Sequence, residues 1–404
     1  MIEMLSHDAI IYQRSGYTYA YRSDGKPITK AKTGADAAKL FKSAVDAMPD
    51  RGSIHIGRGV YSLSAPHEFQ LDADGSNPFY CCVPVIDKSI HIYGAGPGST
   101  VLQLMPGQRH PGRHVAMILA RGTGPFTPGY DGFTVANMTI DGNRGQQTEG
   151  SPKDGESLIL AGSKRSGGRY YNLRLIRSPG SGMYLGNNGG GYEDGALVHH
   201  VVAQDCAAEG IMLDTCQHSR VTDCAAWGCR EGLHLHGDEW WATEKHPERS
   251  PDWVQVSGFQ TDSPITVWQV RKFMISDVMM DCSTKDEAYG LVVRDSIGHV
   301  RNSVLVNDVK KTTSLGGATY IYGRSELELS GCHLEGYYGL HALGKASAVA
   351  QGCRLVAPGG CFYLADPEPV QCSVMAANCT WTGKRAVVQV GAAFSESNCV
   401  EMTG

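Results

Sequence analysis

The chain is 404 residues long, carries 41 acidic against 36 basic residues, and has no lysine- or arginine-rich run, which argues against a nucleic-acid or membrane-surface partner. Its 50 glycines and 18 prolines suit many short strands joined by turns and would be poor in a helical protein. No run reaches the roughly 18 apolar residues of a membrane span, and Met1 to Asp8 lacks the basic start and apolar core of a secretory signal, so a soluble chain is expected.

Near the front, Ala37, Leu40, Phe41, Ala44, Val45 and Met48 fall at helical spacing within Thr33 to Met48, which predicts a helix ahead of a first strand at Ser53 to Ile56. Beyond it, a turn-former stands directly before a strand-opening residue nine times: Asn137-Met138, Asn172-Leu173, Asp205-Cys206, Asp223-Cys224, Asp277-Val278, Asn302-Ser303, Gly331-Cys332, Gly352-Cys353 and Asn378-Cys379. Asn, Asp and Gly tolerate a left-handed backbone, so their recurrence predicts the same sharp corner on every coil of a solenoid. A second repeat is a small residue leading an alternating strand, as in Gly182-Met183-Tyr184-Leu185, Gly210-Ile211-Met212-Leu213, Gly232-Leu233-His234-Leu235 and Gly290-Leu291-Val292-Val293, with recurrences at Tyr320, Leu340 and Cys361. A spacing of about 20 residues holds three short strands per turn, which is a parallel β-helix, right-handed because parallel crossovers are. The expected organisation is an N-terminal segment and capping helix over residues 1–50, then one solenoid over 51–404 with an inserted Trp-rich loop at 238–262.

Five of the 13 cysteines, Cys206, Cys224, Cys332, Cys353 and Cys379, directly follow a corner residue and are expected as reduced thiols stacked in the core. No CxxC pair with matching His or Cys suggests zinc, and no oxygen-rich loop of recognisable spacing suggests calcium, so no cofactor is expected, with the carboxylates around Asp214 and Asp238 as the place where calcium could bind. Val387 to Gly404 shows no helix matching the N-terminal cap, which leaves its edge to a loop or another subunit.

The runs Gly34-Ala35-Asp36-Ala37-Ala38, Ala44-Val45-Asp46-Ala47, Gly52-Ser53-Ile54-His55-Ile56 and Gly59-Val60-Tyr61, with Ile140-Asp141-Gly142-Asn143 and the nine corners, resemble the pectate-lyase-like superfamily across nearly the whole chain. That group includes polygalacturonase-related hydrolases, polysaccharide lyases, epimerases and phage tailspikes, so the resemblance implies a polysaccharide partner, met outside the cell, and leaves the reaction open. Several members trimerise, which implies a homotrimer as one way to cover the C-terminal edge. The polygalacturonase set of Asp-Asp, Gly-His-Gly and Arg-x-Lys is not present, since His236-Gly237-Asp238 matches it only superficially, and the Asp-Pro-His-Asp of alginate epimerases is absent.

Period-two alternation points Ile211, Leu213, Leu233, Leu235, Leu291 and Val293 inward and Met212, Asp214, His234, His236, Val292 and Arg294 outward. Ionisable groups therefore gather on this face, with Asp238 and Glu239 just past His236. If the strand stays extended, Asp214 and Asp238 lie roughly 8 Å apart, the spacing of an acid and base with water between them. In the leading reading Asp214 activates water, Asp238 or Glu239 protonates the leaving oxygen, and His236 relays protons. Tyr184 and His234 on the same face, and Trp240, Trp241, Trp253 and Trp268, are candidate sugar contacts. The charged loops Asp141 to Glu156 (with Arg144, Glu149, Lys153 and Asp154) and Ser283 to Tyr289 are candidate groove walls. A lyase or uronate epimerase would instead use Arg294 with His236 or Lys285, and a third reading is a spike or fibre domain that holds a glycan without cutting it.

Overall fold

The computed structural model describes residues 7–70, 78–122, 132–152, 155–162, 167–186, 195–237, 253–284, 289–307, 316–364, 371–388 and 392–402. Strands dominate them, with one α-helix, Ala38–Ala47. The chain divides into two compact units, Met1–Ser219 and Arg220–Gly404.

The first unit opens on an antiparallel meander, Ala9–Arg14, Tyr17–Arg22 and Pro27–Lys32. Its first strand pairs parallel with Ser53–Ile56, which is therefore not the first strand of the fold. Alternation buries Ala9, Ile11, Thr18 and Ala20 there, a period-two signal the helix-first reading passed over. The helix lies as expected: Ala37, Leu40, Phe41, Ala44, Val45 and Met48 are all buried, and Phe41 meets Tyr61 edge-on at 5.7 Å. Asp36 accepts the Ala38 N–H at 2.9 Å and the Ser64 hydroxyl, tying the helix start to the next coil. At the other end Lys88 Nζ donates to the Asp46 and Met48 carbonyls at 3.0 and 2.8 Å, satisfying last-turn acceptors.

One sheet of this unit stacks Pro78–Ile86, His114–Arg121, Ser157–Ala161, Ser181–Gly186 and Glu209–Asp214 in parallel register. The other carries eight-residue strands, Thr134–Asp141, Arg169–Ile176 and Leu197–Gln204, bent in the middle at Asn137, Asn172 and His200, all with positive φ.

In Arg220–Gly404 each coil has three strands. The Gly-led ladder runs Glu231–His236, Ile265–Trp268, Tyr289–Arg294, Gly317–Tyr322, Tyr338–Ala342, Gly360–Leu364 and Ala386–Val388. A second ladder runs from Arg220–Thr222 through Val254–Ser257 and Phe273–Ser276 to Ala393–Ser397. A third runs from Ala225–Trp227 through Gln260–Thr261 to Val400–Glu401. Strands at Val254–Ser257 and Gln260–Thr261 fall inside the loop expected over 238–262, so that insertion ends before Val254.

All nine corner residues have φ between 48° and 62°. Eight sit at the bend between the second and third strands of a coil. Asp205 does not: Gln204 pairs with Ile176, which puts Asp205 level with Arg177 at the following corner, and His200 takes the bend in that coil. Gly258 and Asn398, with φ of 64° and 52°, complete the series in the second unit. All thirteen cysteines are free and only Cys399 is less than buried. Cys353 and Cys379 each lie 3.4 to 3.6 Å from carbonyls of the preceding coil, the place of a small hydrophobe with a weak S–H donor.

The candidate active site on the glycine-led strands

The inward residues of the Gly-led strands, Leu233, Leu235, Leu291 and Val293, are fully buried as alternation requires. Two outward rows follow from register. His236, Trp268, Arg294 and Tyr322 face one another across four adjacent strands. Beside them run His234, Thr266, Val292, Tyr320, His341 and Tyr363.

In the first row the Arg294 guanidinium carbon lies 5.3 Å from the Trp268 ring centre and 5.5 Å from that of Tyr322. Two electron-rich faces thus hold the cation, and Asp295 Oδ2 accepts from Arg294 Nε at 3.3 Å, fixing the plane of the fork. Burial raises the Tyr322 hydroxyl above its ordinary value, with the Arg294 charge and hydrogen bond opposing it. Trp268 also meets His234 edge-on at 5.5 Å and His236 at 6.2 Å.

His234 is buried, with Nδ1 3.1 Å from Glu231 Oε2. Burial pushes the Glu231 carboxyl up, but hydrogen bonds from His234 and Thr266 and the charges of His234 and Arg230 outweigh it and hold Glu231 below the usual carboxylate range. Further along, Tyr289 stacks on Tyr320 at 4.3 Å, Tyr320 on Tyr322 at 4.8 Å, and Tyr338 lies 4.2 Å from Tyr363. Tyr289, Tyr320, Tyr338 and Tyr363 enclose His341, which is 1% exposed and shares a 2.9 Å hydrogen bond with the Tyr289 hydroxyl. Burial lowers His341 to about 4, so it is neutral at physiological pH.

The structure therefore brings together His234, His236, Trp268 and Arg294 of the residues named from sequence. Asp214 and Tyr184 belong to the first unit and meet each other: the Tyr184 hydroxyl donates to Asp214 Oδ2 at 2.5 Å, and each is 6% exposed. Tyr184 packs in an apolar cluster with Phe79, Cys81, Ala116, Leu119 and Leu160, so it offers no open ring face to a sugar. Trp253 is 53% exposed but stands directly before Val254–Ser257, a strand of the other sheet, with Lys272 Nζ 5.2 Å over its ring. Asp238, Glu239, Trp240, Trp241 and Lys285 lie outside the described residues.

The described part of the loop Asp141 to Glu156 lines a cavity of about 360 Å³ with Arg144, Gln147, Thr148 and Glu149, while Lys153 and Asp154 lie outside the described residues. Asp141 accepts from Arg177 Nε at 3.0 Å and Gln103 at 3.0 Å, and buried Glu156 takes Arg109 Nε at 2.9 Å. Arg109 donates in turn to the Thr148, Gly150 and Ser151 carbonyls, pinning the loop by internal pairing. Sequence reasoning missed Glu231 and the tyrosines around His341. The signal was available, because Tyr320, His341 and Tyr363 occupy one outward position in three successive coils.

No family model matches the sequence, and no curated protein matches it. Among solved structures, the A-module of the mannuronan C-5 epimerase AlgE6 from Azotobacter vinelandii is similar over 92% of this chain and 96% of its own, with a TM-score of 0.52 and 14% identity. The catalytic unit of a GH87 α-1,3-glucanase from Streptomyces thermodiastaticus strain HF3-3 is similar over 91% of this chain and 66% of its own, with a TM-score of 0.56 and 10% identity. A GH87 α-1,3-glucanase catalytic domain in complex with tetrasaccharides gives 93% and 68% coverage, a TM-score of 0.54 and 12% identity. At these identities the likeness is one of fold, and by fold this chain is a right-handed parallel β-helix.

Proposed function

We propose that the protein is a carbohydrate-active enzyme that removes the C5 proton from a uronate unit of an acidic polysaccharide, leading to β-elimination or epimerisation. The observation that carries this is the line His236, Trp268, Arg294 and Tyr322, in which a guanidinium is held between two aromatic faces with an imidazole two strands away. Neighbouring strands are about 4.8 Å apart, so His236 and Arg294 are separated at the backbone by roughly 10 Å, room for one sugar ring over Trp268.

In this reading the Arg294 fork pairs with the substrate carboxylate and stabilises the negative charge that spreads onto it as the proton leaves. His236 in its neutral form takes the proton from C5. In elimination the electron pair forms the C4–C5 double bond, the C4–oxygen bond breaks, and the leaving oxygen is protonated. In epimerisation a proton returns to C5 from the opposite face. Arg294 supplies the cation for this step, so turnover is expected to survive a chelator. The mannuronan epimerase and the α-1,3-glucanases of the same fold support a polysaccharide substrate in general terms.

The test is incubation with a panel of uronate-containing and neutral polysaccharides, reading unsaturated-uronate absorbance, new reducing ends, and solvent deuterium at C5. Absorbance marks elimination, and deuterium without chain cleavage marks epimerisation. Reducing ends without absorbance would overturn proton abstraction and return the reaction to hydrolysis. Silence across the panel would leave a glycan-binding domain.

A further inference from the structure

The first unit holds a cavity of about 460 Å³ on the sheet that does not carry the Gly-led strands. Its lining includes Arg51, His91, Tyr93, Thr134, Arg169 and Tyr171 and, among the described residues, no carboxylate. Register explains the set. His91, Thr134 and Arg169 face one another on adjacent strands, while Tyr93 and Tyr171 flank Ala136 in the next outward row. Ala136 between them is small and fully buried, and burial, with the neighbouring Tyr171 hydroxyl adding to it, raises the Tyr93 hydroxyl above its ordinary value. Tyr171 stacks on His199 at 4.9 Å with the rings 4° from parallel, and His91 shares a 2.9 Å hydrogen bond with Thr134.

Arg51 and Arg169 form no ion pair with a carboxylate among the described residues. The Arg169 charge adds to burial in keeping His91 below its ordinary value, so the imidazole is neutral at pH 7 and leaves the two guanidinium groups as the cations of the site. Two cations, aromatic rings and a small polar group around one concavity are what an anionic sugar requires: charge pairing for the acid group, ring faces for apolar C–H edges, and hydroxyl partners.

We infer that this cavity is a second saccharide site, which holds an acidic sugar unit of the polymer through Arg51 and Arg169 against Tyr93 and Tyr171 without transforming it. It rests on the acidic-polysaccharide reading for the choice of ligand. Such a site would raise affinity for long chains over short ones by holding the polymer at two places.

The experiment is calorimetric titration of the full chain with a short oligouronate, its carboxyl-reduced neutral counterpart, and inorganic sulfate. Two oligouronates are expected per chain. Arg169→Ala or Arg51→Ala should remove one and leave turnover on short substrates unchanged, Arg294→Ala should remove the other, and Tyr171→Leu should weaken the first at least tenfold. Arg169 and Arg51 are exposed, so their variants are expected to fold, and a thermal melt checks it. One site lost in Arg294→Ala and untouched in Arg169→Ala would overturn this inference while sparing the proposed reaction. One site lost in Arg169→Ala and kept in Arg294→Ala would support it and count against the proposed reaction. Sulfate or the neutral oligomer binding as tightly as the oligouronate would overturn the acidic-sugar assignment.

Discussion

The outward face of the Gly-led strands is built in opposite ways in the two units. In Met1–Ser219, Leu119, Leu160, Tyr184 and Met212 stand in register on it, and the first three are buried in an apolar cluster. In Arg220–Gly404 the outward rows carry His234, His236, Trp268, Arg294 and a run of tyrosines. Both obey the same alternation and both have fully buried inward residues. Period two therefore decides which side chains leave the coil, but the chemistry of those side chains decides whether the face is packed or left for a ligand.

The largest expected effects test each half of this contrast by its own kind of readout. Removing Glu156 (Glu156→Ala) leaves the Arg109 guanidinium buried without its carboxylate, and breaking such a pair costs about 3 to 5 kcal/mol, seen as a lower midpoint in denaturant unfolding. Removing the guanidinium in Arg294→Ala, on a half-exposed side chain, is expected to leave the unfolding midpoint within about 0.5 kcal/mol and to reduce kcat about 100- to 1000-fold. Lys at that position should not restore the rate, because an ammonium cannot pair with a carboxylate through two parallel bonds. An unfolding loss in Arg294→Ala as large as that in Glu156→Ala would erase the distinction between a packed and a working face.

The tyrosine cluster in the second unit sits between these cases and predicts a pH dependence. His341 is neutral when folded, with a pKa of about 4 against about 6.5 in an unfolded chain. Above pH 6.5 neither state is protonated and stability is unaffected. As pH falls below that, the unfolded state binds the proton first, so stability is lost progressively until about pH 4, by about 3 kcal/mol in all. In His341→Asn the loss over that window should shrink, whatever the variant's stability at pH 7. An unchanged slope in urea melts from pH 7 to pH 4 would refute the buried neutral imidazole.

What was legible in the sequence divides along the same physical line. The corners were legible because positive φ is a demand on one residue, met by Asn, Asp or Gly at all nine positions. Asp205-Cys206 has the same look at a different corner, and His200 holds the bend without looking like a corner residue, because only pairing across coils distinguishes them. The three N-terminal strands went unread beside a stronger helical signal. His236, Trp268 and Arg294 were legible as one row, since register depends on spacing alone. The burial of Asp214 and Tyr184 was not, since covering a face depends on residues distant in sequence.

The smallest expected effects are the sharpest test of that last point. Tyr184 and Trp268 were both candidate sugar contacts, yet one donates to Asp214 within an apolar cluster and the other lines the row with His236 and Arg294. Tyr184→Phe keeps the ring and deletes a hydrogen bond to a buried carboxylate, so it should cost about 1.5 to 3 kcal/mol of stability with KM unchanged. Trp268→Leu removes a ring face from a half-buried position, so it should raise KM about three- to tenfold, equivalent to about 0.5 to 1.5 kcal/mol, with little change in melting temperature. If Tyr184→Phe raised KM while leaving stability intact, the first unit's outward face would also be a ligand surface. The two faces would then differ only in how their side chains are covered before the polymer arrives.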